Sequence, residues 1–369
     1  MDLIKKVLKA LFLLIIILLG LSSFVTKQYL QLVPVVLLLS LLFLKPVRHF
    51  LSEKIDNYSQ RTELLIIILL LVSYFSVGKI YLRSSIYRSA ADQAEIMARY
   101  DELQKDWPAD TESRFIRNQY GEIHLLVAGP DSAPPLLLFP AENMGAVSWG
   151  ANLPVLANHF RCYAIDPPGE AGKSKLADLN SFPKSEQELA RLYLEVADSL
   201  GLDNMALAGA GTGGRNALLL AIHAPGRISK LALIAPMGIH KPAPEFLWQR
   251  VAISMFPLPA IRQKVTAWTI GNSETTAALT DWYDAVLRGC VPHTAYPMAI
   301  APEELAKIEA PVLLVLGTND QHTGTPQQVT ERAKPIGKLQ TETLGSDHLI
   351  AIEKTLETNQ ILLEFLSDH

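Results

Sequence analysis

The pattern of apolar and polar positions divides the chain into two parts. Three stretches near its start, residues 7–26, 29–44 and 63–82, consist mainly of Leu, Ile, Val and Phe. A helix of about 20 residues matches the ~30 Å hydrocarbon core of a bilayer, so the pattern predicts three membrane-spanning helices. Pro34 interrupts the second stretch, which membrane helices tolerate. A cleaved signal peptide is the alternative for the first stretch, but no small-residue cleavage site follows it.

Basic residues beside these stretches predict their orientation. Lys5, Lys6 and Lys9 precede the first stretch, four further basic residues lie between the second and the third, and the first loop has only Lys27. Loops rich in Lys and Arg stay in the cytoplasm. We therefore expect a multi-pass cell-membrane protein, with the lipid bilayer as a partner and an extracytoplasmic C-terminal domain.

From about residue 85 onwards, short apolar runs alternate with helical periods. An amphipathic stretch at 90–107 comes first, and helices are expected at 185–199, 215–223 and 356–366. The expected strands are residues 123–127, 136–139, 162–165, 205–208, 231–234 and 312–316. This alternation predicts an α/β domain with a mainly parallel sheet and helices on both faces.

One long segment of this domain shows no strand pattern. Residues 237–310 are rich in Trp, Phe and Pro, and plain connections of such length are uncommon. We interpret the segment as a helical lid inserted over the carboxyl ends of the strands. The predicted organisation is a membrane anchor at 1–84 and an α/β domain with a lid at 85–369.

Composition and charge exclude several classes of function. The 369 residues are 49% hydrophobic and only 19% charged, against about a quarter in soluble domains, which agrees with membrane segments. Residues 1–82 carry nine basic and four acidic residues, and the remainder carries 24 and 33. An acidic domain without a basic face argues against nucleic-acid binding. Two cysteines and no metal-ligand spacing leave us expecting no disulfide framework, metal or other cofactor.

A glycine-rich turn between a predicted strand and a predicted helix has two readings. Residues 205–220 read MALAGAGTGGRNALLL, in which Gly209, Gly211 and Gly214 match the dinucleotide-binding G-x-G-x-x-G. That motif normally follows the first strand of its domain, whereas several strands precede this turn. The other reading is the nucleophile elbow G-x-S-x-G, with Gly211 at the place of the serine.

Several segments around this turn resemble the α/β-hydrolase fold family, in a bacterial esterase-like branch, over about residues 85–369. The similar segments are DWP at 106–108, YGEIHLLVAGP at 120–130, SWGANLPVLANHFRCYAIDPPGEAGKS at 148–174, APVLLVLGTND ending at Asp320 and GSDHLIAIE around His348. The family order is elbow, acid, histidine. The resemblance therefore implies Asp320 and His348 as the acid and the base, and Ala141 and Thr212 as the N–H donors of an oxyanion hole.

Two positions depart from the family pattern. Gly211 has no nucleophilic atom, and Phe139-Pro140 stands where the family has His-Gly. Thr212 carries the nearest hydroxyl, but we expect the sharp turn to direct its side chain elsewhere. His322 does not match the motif and is expected to be an ordinary loop residue. Among the remaining hydroxyls, Ser148 and Ser174 match positions that are structural in the family.

Three functions remain open at the level of the sequence. The resemblance implies hydrolysis of an ester or acyl compound, with a small apolar or ester-type ligand in the pocket. Without a serine, His348 and Asp320 would act as a general base that forms no covalent intermediate. The third possibility is a non-catalytic protein that binds a ligand or serves as a scaffold. Glu142 and Asn143 in the expected pocket do not separate these functions, and the sequence identifies no protein partner.

Overall fold

The computed structural model describes residues 85–255, 257–271 and 276–367, together with five single positions before residue 85. Apart from such single positions, the spans predicted at 7–26, 29–44 and 63–82 lie outside the described residues. Within the part of the chain that the structure describes, no helix is both long and apolar enough to cross a membrane.

A mixed sheet forms the centre of the unit Ser84–His369. Its strands lie in the order β1-β2-β4-β3-β6-β7-β8-β9, with the short β5 paired to β2. The β1–β2, β2–β4 and β2–β5 pairs are antiparallel, and the other pairs are parallel. The strands are β1 (Glu112–Asn118), β2 (Gly121–Ala128), β3 (Pro135–Phe139), β4 (Arg161–Ile165), β5 (Lys175–Leu176), β6 (Met205–Ala210), β7 (Ile228–Ile234), β8 (Val312–Gly317) and β9 (Leu339–Leu344).

The six strands predicted from apolar runs are all present, and the prediction of a mainly parallel sheet is confirmed. The sequence pattern missed β1, β5 and β9. Strands β1 and β9 lie at the two ends of the sheet order and are mostly exposed or half-buried, so neither contains a continuous apolar run. The strand order also differs from the dinucleotide-binding order 3-2-1-4-5-6, which removes that reading of the glycine-rich turn.

Helices connect most of the parallel strands. Side chains cap several of their first turns, as when the Ser185 hydroxyl accepts the Glu188 N–H at the start of α3. The described α-helices are α1 (Ala90–Gln104), α2 (Leu153–Leu156), α3 (Glu186–Ser199), α4 (Gly211–His223), α5 (Pro244–Met255), α6 (Pro259–Ile270), α7 (Ala277–Gly289), α8 (Pro302–Leu305), α9 (Pro326–Ala333), α10 (Ile350–Glu353) and α11 (Thr355–Ser367).

The sheet carries one apolar core on each face. In β3, Leu136 and Leu138 belong to the core that includes α1 and the lid helices, whereas Leu137 and Phe139 belong to the core that includes α3 and α4. Alternate residues of a strand face opposite sides of a sheet, so this division shows that both faces are covered. The prediction of helices on both faces is therefore confirmed.

Helices α5 to α8 lie in the segment between β7 and β8, and α5, α6 and α7 contribute to the wall of a pocket above the strand ends. Two contacts connect this segment to the rest of the unit. The Trp282 indole donates from Nε1 to the Asn143 carbonyl at 2.9 Å. The guanidinium of Arg88 donates to the carbonyls of Ile253 and Ser254 at the end of α5. The first bond holds α7 against the loop that follows β3, and the second holds the end of α5 against the segment that precedes α1.

Candidate active site

The turn between β6 and α4 is sharper than the sequence pattern indicated. The helix begins at Gly211 itself, although the predicted helix began only at 215. Gly211 has φ +52°, a conformation that glycine adopts without steric cost. A Cβ on Gly213 would lie 2.3 Å from the carbonyl oxygens of Phe139 and Pro140. Helix α4 therefore packs against the end of β3 as closely as a nucleophile elbow requires.

Asp320 and His348 are brought together from two loops at the ends of β8 and β9. The His348 Nδ1 atom lies 3.0 Å from Asp320 Oδ2, and both side chains are buried. Burial opposes ionisation of Asp320, but the charge of His348 and hydrogen bonds from His322, His348 and Thr323 lower its pKa well below its ordinary value. An ionised carboxylate requires His348 to donate from Nδ1, which leaves Nε2 as the proton acceptor when the ring is neutral.

His348 also faces the turn at Gly211. A Cβ built on Gly211 would lie 3.1 Å from His348 Nε2 and 3.2 Å from the Cβ atom of Ala141. The three sequence-predicted positions 211, 320 and 348 thus form one cluster. The basic nitrogen of the imidazole is directed at the position that has no side chain.

Backbone N–H groups of Ala141 and Thr212 border the same space. Thr212 is the second residue of α4, where a helix leaves its N–H groups without an intrahelical acceptor. The N–H of Ala141 has no acceptor among the described residues. Both residues line the main pocket, so the two predicted oxyanion-hole donors lie where a ligand oxygen would reach them.

Asn143 fixes the loop that carries Ala141. It adopts φ +63°, which is rare for a residue other than glycine. Its N–H donates to Glu170 Oε2 at 2.6 Å, and its carbonyl accepts from Trp282. Strained residues of this kind persist when the surroundings fix them. The two hydrogen bonds supply that constraint beside the predicted oxyanion hole.

The main pocket lies between this cluster and the lid. Its wall is mostly apolar and also includes polar side chains of the elbow and of helix α5, among them Thr212 and Arg250. The apolar part is lined by Met144, Phe246, Ile253, Val265, Trp268, Tyr283, Val286 and Leu287. A pocket of this composition suits a small apolar ligand held by a few polar atoms.

The sheet order, the tight turn and the positions of the two dyad residues decide the fold family. The family model of the alpha/beta hydrolase fold matches residues 134–260. The chain has the α/β-hydrolase fold.

Bacterial carboxylesterases are among the homologues of this hydrolase-fold chain. Carboxylesterase YbfK of Bacillus subtilis is 26% identical over 285 residues, which are 72% of this chain and 92% of YbfK. The crystal structure of YbfK matches with a TM-score of 0.69 at 25% identity, covering 75% of this chain and 99% of that one. The uncharacterized carboxylesterase nap of Bacillus subtilis is 21% identical over 278 residues, 73% of this chain and 91% of nap.

His322 lies in the hydrolase-fold site, so the expectation of an ordinary loop residue is wrong. Its ring stacks on His348 at 4.2 Å between ring centroids and on Trp268 at 3.6 Å. Only 2% of His322 is exposed, and its Nδ1 atom lies 3.5 Å from Asp320 Oδ1. Burial and the charge of His348 lower its pKa to about 4. A neutral imidazole thus supports His348 from one side.

The sequence contained one signal for this placement. Asp320 Oδ1 accepts the backbone N–H of His322 at 2.7 Å, so an Asx turn folds the loop back on the carboxylate. An aspartate two residues before a histidine is a recognisable pattern for such a turn. The stacking on Trp268, by contrast, depends on a residue of the lid more than fifty positions away.

Asp320, His322 and His348 also offer three ligand atoms within 4.8 Å of one another, so we tested them as a metal site. The two imidazole planes differ by only 18°. Lone pairs of near-parallel rings lie in separate planes and do not converge on one ion. Asp320 already accepts from His322, Thr323 and His348. The geometry therefore fits a hydrogen-bonded dyad with a stacked neighbour, not a metal centre.

A polar group borders the pocket on the side of Glu142. This carboxylate lies 3.2 Å from Arg250 Nη1, and Arg250 also donates to Thr294 Oγ1 at 2.7 Å. Glu170 is buried behind Asn143, and burial together with the charge of Glu142 raises its pKa to about 8. Glu170 is therefore mostly protonated at neutral pH, which the sequence pattern did not indicate.

Asp166 and His124 form a buried pair below the site. His124 Nδ1 lies 2.7 Å from Asp166 Oδ2, and Asp166 Oδ1 accepts the N–H of Ala146 in the loop after β3. The hydroxyl of Ser174 donates to the Asp166 carbonyl and accepts the His124 N–H. Ser148 donates to the Gly145 carbonyl. Both serines bond to backbone groups, as the structural reading of these positions implies.

Proposed function

We propose that this protein is a membrane-anchored ester or acyl hydrolase in which the His348–Asp320 dyad acts on water directly. Position 211 corresponds to the nucleophile of the family, and glycine there forms no acyl-enzyme. The observation that carries the proposal is the 3.1 Å approach of His348 Nε2 to the Cβ position of Gly211. A water molecule in that space would lie beside the base.

The proposed reaction uses groups already described. Nε2 of His348 takes a proton from the water while the water oxygen bonds to the ester carbonyl carbon. The carbonyl oxygen becomes an oxyanion, which the N–H groups of Ala141 and Thr212 stabilise. When the tetrahedral intermediate breaks down, the proton on His348 passes to the leaving alkoxide, and the acid and the alcohol form. Asp320 holds the ring in the required tautomer and stabilises its cationic form.

The substrate class rests on the pocket and on the relatives. The apolar wall accepts an acyl chain, and the carboxylesterases YbfK and nap suggest an ester as the bond to be cleaved. We infer a small or medium apolar acyl group with its carbonyl at Gly211.

A non-catalytic ligand-binding protein is the second candidate. The same observation favours it, because a site that lacks a nucleophile can retain its pocket and its donors. In that case an ester would bind between the lid and Gly211 without being cleaved. The two candidates differ in one measurable property, which is turnover.

The test is hydrolysis of short- and medium-chain acyl esters by the purified chain, with His348→Ala as the variant. His159, which is exposed and far from the pocket wall in sequence, provides the matched control His159→Ala. Hydrolysis that is lost in His348→Ala and retained in His159→Ala supports the dyad. Ester binding without turnover in all three proteins contradicts the hydrolase and supports the binding protein.

Membrane anchoring is proposed from the three apolar stretches, which make a bilayer the expected partner of residues 1–84. Extracted by alkaline carbonate, a chain with membrane-spanning segments stays in the pellet because each segment buries about 20 apolar residues. Release of the full chain into the supernatant would contradict the anchor and, with it, the predicted extracytoplasmic placement of the C-terminal domain.

A further inference from the structure

Helix α5 of the lid is apolar on two sides. Phe246 and Ile253 are buried and line the main pocket. Leu247, Trp248 and Val251 lie on the other side with 44%, 70% and 40% of their surface exposed. A helix at the surface of a soluble protein normally has one apolar side and one polar side. The inner side of α5 is explained by the pocket, and the outer side is not.

A fourth exposed apolar residue follows α5 in the chain. Leu258 precedes the first turn of α6 and is 58% exposed. We call Leu247, Trp248, Val251 and Leu258 the lid patch. Single exposed apolar residues need no explanation, but a group that includes a largely exposed tryptophan marks an interaction surface.

The segment around the lid patch is basic, although the domain is acidic. Residues 241–264 carry four basic residues and one acidic residue. Two of the four basic residues form ion pairs within the domain, Arg250 with Glu142 and Arg262 with Asp284. Lys241 and Lys264 are exposed and form no ion pair with any described residue. The lid patch is thus flanked in sequence by two uncompensated positive charges.

We propose that the lid patch docks on the surface of a lipid bilayer that contains anionic lipids. Tryptophan and aliphatic side chains favour the boundary between headgroups and acyl chains, and lysines beside them favour anionic headgroups. The inference rests on the proposed membrane anchor, which keeps a bilayer within reach. Because the inner side of α5 forms the pocket wall, docking brings the acyl pocket next to the lipid. The substrate class that follows is an ester taken from the membrane.

The test uses the full chain in lipid nanodiscs with an environment-sensitive nitrobenzoxadiazole dye on Trp248→Cys. Cys162 and Cys290 are buried, so the unmodified chain measures background labelling. Leu356→Cys is the matched control, because Leu356 is 81% exposed at the start of α11, outside the lid. The nanodiscs contain phosphatidylcholine and phosphatidylglycerol, with or without bromine atoms on the acyl chains as quenchers.

Docking predicts blue-shifted emission at position 248 and loss of most of that emission with brominated lipid, with neither change at position 356. The proposal is overturned if the dye at position 248 emits at the wavelength it has in water and is not quenched by brominated lipid. A blue shift that bromine does not quench, and that needs two copies in one nanodisc, also overturns it and identifies a second copy as the occupant. Carbonate washing of vesicles tests the anchor separately. A chain that stays in the membrane while the dye at position 248 remains in water contradicts the docking and not the anchor.

The two lysines provide an independent readout. A lysine near an anionic surface contributes about a fivefold factor to the equilibrium. Lys241→Glu and Lys264→Glu should therefore each lower the ratio of docked to undocked protein at least fivefold, measured as the quenched fraction at position 248. Lys338→Glu, an exposed lysine outside the lid, is the control. An unchanged quenched fraction in both lid variants contradicts the preference for anionic lipid.

Discussion

His348 directs its Nε2 atom at Gly211, so closely that a Cβ on Gly211 would lie 3.1 Å from it. That distance is tighter than an ordinary contact, so a side chain at this position would be in immediate reach of the base. The other ring nitrogen, Nδ1, is held by Asp320 at 3.0 Å. Probes and substitutions at position 211 therefore distinguish attack on the ester by a side chain from attack by water that His348 activates.

The first prediction concerns covalent labelling at position 211. A fluorophosphonate probe should leave the wild-type chain unlabelled, because glycine has no atom that attacks phosphorus. Gly211→Ser should become labelled, since its hydroxyl would lie beside His348 and the two N–H donors. Gly211→Ala is the control, because it places the same Cβ at φ +52° without an oxygen. Labelling is measured by fluorescence after gel separation.

One outcome would contradict the role assigned to position 211. Thr212 carries a buried hydroxyl without a hydrogen-bond partner among the described residues, and it lines the same pocket. Strong labelling of the wild type that disappears in Thr212→Ala would make Thr212 the nucleophile. The general-base proposal would then be wrong.

The second prediction concerns the orientation of the base. Asp320→Asn should lower ester turnover by about 10²- to 10⁴-fold, because an amide neither fixes the tautomer of His348 nor stabilises its cation. The KM should change little, since Asp320 is not part of the pocket wall. Rapid-mixing measurements of product release should show no burst in the wild type. A stoichiometric burst would indicate an acyl-enzyme and contradict direct attack by water.

The sequence alone predicted those parts of the fold and the site whose signal is local or follows the family order. Apolar runs located the central strands, and the order of elbow, acid and histidine placed Asp320 beside His348 although 28 residues separate them. Strand β9 was missed because four of the six residues of LQTETL are polar, as suits a strand at the end of the sheet. The position of His322 was missed because its main contact, with Trp268, exists only once the lid has packed.

The third prediction uses the neutral state of His322. Its folded pKa of about 4 is below the ordinary value near 6.5, so the unfolded chain binds more protons between these limits. The contribution of His322 to stability should therefore rise with pH across that window and be lost as pH falls through it. His322→Phe keeps an aromatic ring there and removes the titration, so the thermal midpoint of the wild type in detergent should rise relative to that of the variant from pH 4 to 6.5. His159→Phe should leave the wild-type dependence unchanged, and an equal dependence in His322→Phe would contradict the neutral imidazole.

The last prediction concerns Glu170, whose pKa is raised in the folded protein whereas that of His322 is lowered. Burial and the neighbouring Glu142 raise its folded pKa to about 8, so the folded chain binds more protons than the unfolded one between about pH 4.5 and 8. The stabilising contribution is complete below the unfolded pKa and is lost as pH rises through the folded one, at up to about 1.4 kcal/mol per pH unit.

Glu170→Gln imitates the protonated acid and can still accept the Asn143 N–H. From pH 5 to 8 the thermal midpoint of the wild type should therefore fall relative to that of Glu170→Gln. Glu309→Gln, at an exposed glutamate, is the control. If Glu170→Gln and the wild type lose stability in parallel, Glu170 is ionised in the folded protein and does not hold Asn143 as a neutral acid.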